Sequence, residues 1–118
     1  MKEDIFFISK NGTEFTYHNL IEDINNTTKL YRYCYNPDTY SIFLQIITSI
    51  IYGKNMILLD YDFTDKELNS LGIDKNELNS YEHINHQPIT VFQHIVNNVE
   101  NNEDWKLTLF TSGTTGLP

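Results

Sequence analysis

The chain predicts a layered α/β domain, with a mostly parallel sheet, flanking helices and an N-terminal β-hairpin. Three observations lead there. Apolar residues recur at helical spacing in two long stretches. Short continuous or alternating apolar runs lie between and after them, and turn and capping residues mark the joins. The 118 residues are 40% hydrophobic, enough for one domain with a real core. No internal repeat and no linker divides the chain, so residues 1–118 are expected to form a single unit.

Each element has its own signature. Residues 5–8 and 13–16 flank Asn11-Gly12, a turn dipeptide that predicts a hairpin. Thr16 then caps a helix whose apolar face is Tyr17, Leu20, Ile21, Ile24 and Tyr31. Residues 29–35, rich in tyrosine, read as a strand. Asn36-Pro37-Asp38 opens the next helix, with a capping side chain, proline at the first helical position and an acid in the first turn. That helix carries Phe43, Ile46, Ile47, Ile50 and Ile51 and closes at Gly53. Its apolar residues spread beyond one face, which predicts burial. Residues 56–59 form a continuous apolar run ending in Asp60, as in a strand covered on both faces. Thr64-Asp-Lys-Glu67 is a capping box for a short helix closed by Gly72, and Asp74-Lys-Asn-Glu77 repeats the pattern. Residues 88–99 are ambiguous: Phe92, Ile95, Val96 and Val99 suit a helix, the favoured reading, while Ile89, Thr90 and Val91 suit a strand; 97–104 read as a polar loop. Residues 106–110 alternate like a strand.

Composition excludes several functions. Eight basic against sixteen acidic residues, a net charge of −8, is the wrong balance for a broad grip on a nucleic-acid backbone. The single Cys34 makes no internal disulfide and reads as a small core residue. The N-terminus has too short an apolar run for a secretory signal, and residues 42–52 are too short and too polar to span a bilayer. A cytoplasmic protein without a transmembrane segment is expected. His83, His86 and His94 with Glu82 match no zinc spacing and read as exposed or hydrogen-bonded histidines. Tyr31, Tyr33, Tyr35 and Tyr40 read as core or interface. Asp60, Asp62, Asp65 and Glu67 could bind a cation, though solvated acids near a helix start are the plainer reading.

Chemistry concentrates at the end of the chain. Thr111 to Gly116 supply four hydroxyls and two glycines with no bulky side chain. Gly113 and Gly116 permit close approach of a ligand, and successive N–H groups with hydroxyls can form an anion-binding nest. Following a strand, the loop would stand beyond the carboxyl edge of the sheet, where α/β sheets bind ligands. It is not a Walker A loop, which has four residues between its glycines and Lys after the second. Read on composition alone, the segment is equally a Gly/Ser/Thr surface turn.

The string Leu109-Phe-Thr-Ser-Gly-Thr-Thr-Gly-Leu-Pro118 closely resembles the phosphate-binding signature of the adenylate-forming enzymes. These are the acyl-CoA synthetases, peptide synthetase adenylation domains and luciferases. Phe15-Thr-Tyr-His-Asn-Leu20 resembles an early element of that family, with Asn19 in place of Glu. Ile50 to Asp60 resembles a second, in which a helix ends at glycine and a strand ends near Asp; Tyr52 replaces the usual Ala and Leu58 the usual Pro.

The resemblance implies a two-step acid–thiol ligase. A carboxylic acid substrate attacks the α-phosphorus of ATP, releasing pyrophosphate, and the acyl group passes to the thiol of CoA or of a carrier-protein pantetheine arm. It assigns Thr111, Ser112, Gly113, Thr114, Thr115 and Gly116 to the β- and γ-phosphates, with Mg²⁺ sharing their charge. The family's next lysine and its catalytic, adenine-binding and acyl-binding residues would lie beyond Pro118. The resemblance therefore implies the N-terminal portion of an AMP-binding domain, cut within its phosphate loop. Such a piece would carry no catalytic residue, be inactive alone, need the remainder of the enzyme as its partner, and expose edges that favour a homo-oligomer. An adenylation domain loading a carrier protein is the near alternative. A non-catalytic interaction or scaffold domain with a hydroxyl-rich tail is the distant one.

Overall fold

The computed structural model describes residues 4–85, 88–90 and 92–110. The chain folds as a mixed α/β domain, and four α-helices and three small sheets lie within those residues. Strands β1 (Ile5–Ile8) and β2 (Glu14–Thr16) pair antiparallel as the expected hairpin. Gly12 takes the positive φ, 88°, that closes its turn.

Thr16 caps helix α1 (Tyr17–Asn26). Its hydroxyl accepts from the Asn19 N–H at 3.1 Å, while the Asn19 side chain accepts from the Thr16 N–H at 2.8 Å. Leu20, Ile21 and Ile24 are buried as expected. Tyr31, placed with them by spacing, instead belongs to a strand. The helix stops at Thr27, whose hydroxyl donates to the Asp23 carbonyl and whose backbone is extended. Residues 29–35 are likewise two strands, not one. β3 (Lys29–Tyr31) and β4 (Tyr33–Cys34) enter different sheets, with the chain changing partners at Arg32.

Helix α2 (Thr39–Ile51) begins later than its proline suggested. Asn36 spends its side chain on the Asp38 N–H at 2.8 Å, leaving Pro37 in the turn. Asp38 is the cap, accepting from the Ser41 N–H and hydroxyl. At the other end, Gly53 adopts φ 65°. Its N–H donates to the Ile50 carbonyl and the Lys54 N–H to the Ser49 carbonyl, which is a Schellman closure. The expected apolar face is only half-buried, and Phe43 is exposed. Thr48 and Ser49 are the buried positions near its end, their hydroxyls satisfied by the Leu44 and Ile46 carbonyls.

Strand β5 (Met56–Leu59) is central. Helix α3 (Asp65–Ser70) has the expected capping box, followed by a 3₁₀ turn at Lys75–Asn79 and strand β6 (Tyr81–His83). Strand β6 has no local signal; its three residues are all exposed, and its order comes from antiparallel pairing with β3. Helix α4 (Phe92–Asn101) overrides the polar loop expected from residue 97. Its asparagines sit on an amphipathic helix with Ile95 buried, and Asn98 donates to the His94 carbonyl at 2.8 Å. Strand β7 (Leu107–Phe110) completes the parallel sheet in the order β4-β5-β7. The parallel sheet thus has three strands, and the other two sheets are antiparallel pairs.

Alternation along β5 divides the core. Ile57 and Leu59 face Phe63, Leu68, Ile73 and Leu78 on one side. On the other side Met56 lines a cavity together with Leu44 and Thr48 of α2. Behind α2 lies a second cluster of Leu20, Ile21, Ile24, Ile89 and Ile95. The Tyr40 hydroxyl donates to Asp23 at 2.6 Å, tying α2 to α1. No helix among the described residues is long and apolar enough to cross a membrane.

Candidate functional site

The carboxyl edge of the parallel sheet is where the sequence directs attention. Three connections leave it: Tyr35-Asn36-Pro37 after β4, Asp60-Tyr61-Asp62 after β5, and residue 111 onward after β7. Parallel register fixes their spacing. Leu59 pairs with Phe110, and the Asp60 N–H donates to the Phe110 carbonyl at 3.1 Å, so β7 leaves the sheet beside Asp60.

The first two connections are turned by their own side chains. The Asn36 carboxamide takes the Asp38 N–H, and the Asp60 carboxylate takes the Asp62 N–H at 2.8 Å. Tyr61 is exposed, its ring 4.8 Å from that of Tyr35, whose hydroxyl donates to the Phe63 carbonyl. Burial, with the neighbouring Tyr61 and Asp65 adding to it, raises the Tyr35 hydroxyl above its ordinary pKa.

Between these turns and the hairpin lies an open cleft of about 510 Å³. Lys10, Asn36, Asp60, Tyr61, Asp62 and Phe110 line it. Lys10 and Tyr61 escaped sequence reading, since one is a hairpin-turn lysine and the other stands between two acids. The N-terminus of α2 opens near this cleft, but Asp38 already supplies it with a carboxylate. From the sequence, an anion at this edge is expected to meet the segment after Phe110. Thr111, Ser112, Gly113, Thr114, Thr115 and Gly116, the residues singled out for that role, lie outside the described residues.

The other candidates separate. His83 packs edge-on against Tyr81, Glu82 pairs with Lys54, His94 lies in α4, and His86 is outside the described residues. Among the described residues no group of three or more His, Cys, Asp and Glu side chains could hold a metal ion. Cys34 is fully buried, and desolvation pushes its thiol up to about 11, so it is protonated and no nucleophile. Glu67 serves the Thr64 capping box, and Asp65 meets Lys75 at 3.5 Å in an exposed pair. Tyr33 is core, Tyr31 meets Tyr81, and Tyr40 stacks on Phe15 at 3.9 Å. Comparison with models of known families, with curated proteins and with solved structures finds no match for this chain.

Proposed function

We propose that the chain is the N-terminal portion of an ATP-dependent acid–thiol ligase of the adenylate-forming type. One observation carries the reading: the string Leu109-Phe-Thr-Ser-Gly-Thr-Thr-Gly-Leu-Pro118. Three features of the fold support it. Asn19 closes the Thr16 capping box, the task a Glu would perform at that position. The segment from Ile50 to Asp60 runs helix, glycine closure, strand and acid, in the order of the second element. β7 delivers the chain to the carboxyl edge of a parallel sheet, where glycine-rich loops meet phosphates.

In this reading a carboxylic acid attacks the α-phosphorus of ATP and pyrophosphate departs. Thr111 through Gly116 hold the β- and γ-phosphates, with Mg²⁺ sharing the charge. A hydroxyl-rich loop without its own charge binds polyphosphate modestly, which suits a group that must leave. The thiol of CoA, or of the pantetheine arm of a carrier protein, then attacks the acyl-adenylate carbonyl and AMP departs. The groups that position the acid and adenine belong to the remainder of the enzyme, and without them this portion is inactive. Sequencing the transcript past the Pro118 codon tests the reading. A lysine codon directly after it, opening a long further reading frame, is expected; an immediate stop codon contradicts it and leaves the interaction domain with a polar tail.

A further inference from the structure

The parallel sheet has a second end, and it is basic. Arg32, Lys54 and Lys106 stand just before β4, β5 and β7, and Lys29 opens β3. These are four of the eight cations in a chain of net charge −8. Register gathers them: the Ile57 N–H donates to the Arg32 carbonyl and the Met56 N–H to the Lys106 carbonyl. Between this end and the β3–β6 pair lies an open groove of about 460 Å³, lined by Tyr31, Arg32, Lys54, Asn55, Ser80 and Tyr81, with Leu30 and Glu82.

The polar groups that line the groove are mostly able to donate to a ligand. Arg32 and Lys54 are donors only. The Asn55 oxygen accepts from the Lys106 N–H at 2.9 Å, so its NH₂ is what it can offer. Ser80 adds a hydroxyl. Glu82 is the one acid, and its 3.8 Å pair with Lys54 is largely exposed on both sides, a weak contact that an anion can replace. Lys29 lies 4.8 Å from the centre of the Tyr81 ring and Arg32 lies 5.6 Å from that of Tyr33, so two cations are held near the groove by aromatic faces. Tyr81 is 43% exposed and gives the groove an aromatic wall. The volume is that of a small-molecule site.

We propose that this groove binds a small phosphorylated molecule carrying a ring, with phosphate between Arg32 and Lys54 and the ring against Tyr81. The forked guanidinium of Arg32 matches phosphate oxygens in pairs. The site stands at the opposite end of the sheet from Phe110, where β7 ends, and does not rest on the ligase reading.

Phenyl phosphate, titrated into the chain and followed by amide NMR, tests it. Saturable shifts at Arg32, Lys54, Asn55, Ser80 and Tyr81 are expected. Arg32→Met should weaken binding at least about tenfold, as loss of a charged hydrogen-bond pair does. Lys54→Gln, at an exposed position, should weaken it less, and Glu82→Gln should tighten it. Should Arg32→Met fail to fold, the opposite signs of the Lys54 and Glu82 variants decide. Shifts confined to residues around Phe110, no saturation below about 10 mM, or wild-type affinity in the Lys54 and Glu82 variants would overturn the proposal.

Discussion

Gly53 shows how much a single residue carries here. Its φ of 65° suits glycine, and a Cβ built there would stand 2.9 Å from the Asn102 Oδ1. Asn102 is no idle neighbour: its Nδ2 donates to the Ile50 and Ile51 carbonyls at 2.7 and 3.1 Å, closing the end of α2 from the end of α4. Gly53→Ala should therefore cost about 2 kcal/mol or more, combining left-handed strain with the loss of those bonds. Gly12→Ala, at φ 88° with open space around it, should cost only about 1 kcal/mol. Urea denaturation of the two variants compares them directly. Cys34 makes a second prediction at this scale. Well below pH 9 its thiol is protonated in the folded and the unfolded chain alike and contributes no pH dependence. Between the ordinary 9.0 and about 11 the unfolded chain gives up the proton while the folded chain keeps it, so stability falls as pH rises. Tyr40, raised by burial and by its bond to Asp23, acts in the same direction at higher pH. Denaturation midpoints against pH should decline across that window, and Cys34→Ala should flatten its lower part.

At the scale of elements, long-range side-chain ties hold what propensity leaves loose. Asn25 in α1 donates to the Ile89 carbonyl at 2.7 Å and accepts from the Ile89 N–H at 2.8 Å. This clamp holds Ile89 in the cluster with Leu20 and Ile24. Asn25→Ala should destabilise the fold by about 2 kcal/mol and speed hydrogen exchange at the Ile89 amide far more than at Leu58. Ties of this kind separate what was legible in the sequence from what was not. The hairpin, the cap at Thr16, the capping box at Thr64, the closures at Gly53 and Gly72 and the strands at 56–59 and 107–110 depend on local chemistry, so local residues announce them. Strand β6 depends on pairing with β3, and the break at Arg32 on two sheets competing for one segment, so neither has a local signal. The run Asn97, Asn98, Asn101 resembled a loop because asparagine favours loops, yet burial of Ile95 commits the segment to helix. Of the candidate site, the strand into it and the acid beside it were legible; Lys10 and Tyr61 enter the cleft only through tertiary structure.

The molecule as a whole is a small parallel sheet with unlike ends: at one, acidic turns and the exit of β7; at the other, a gathering of lysines and the one arginine. Among the described strands β7 pairs only with β5, and Leu109 on it is 58% exposed. We expect this edge to drive self-association. Sedimentation velocity should show mass rising with concentration for the native chain and a monomer for Leu109→Lys; a native monomer at every concentration would remove the edge from consideration. The ligase reading itself turns on whether the residues after Phe110 hold a polyphosphate. The most direct measurement is ³¹P NMR of Mg·ATP titrated with the 118-residue chain, compared with a Gly113→Val variant. Selective broadening of the β- and γ-phosphorus lines, abolished by the substitution, is expected. Unchanged lines, or broadening that survives Gly113→Val, would contradict the ligase reading.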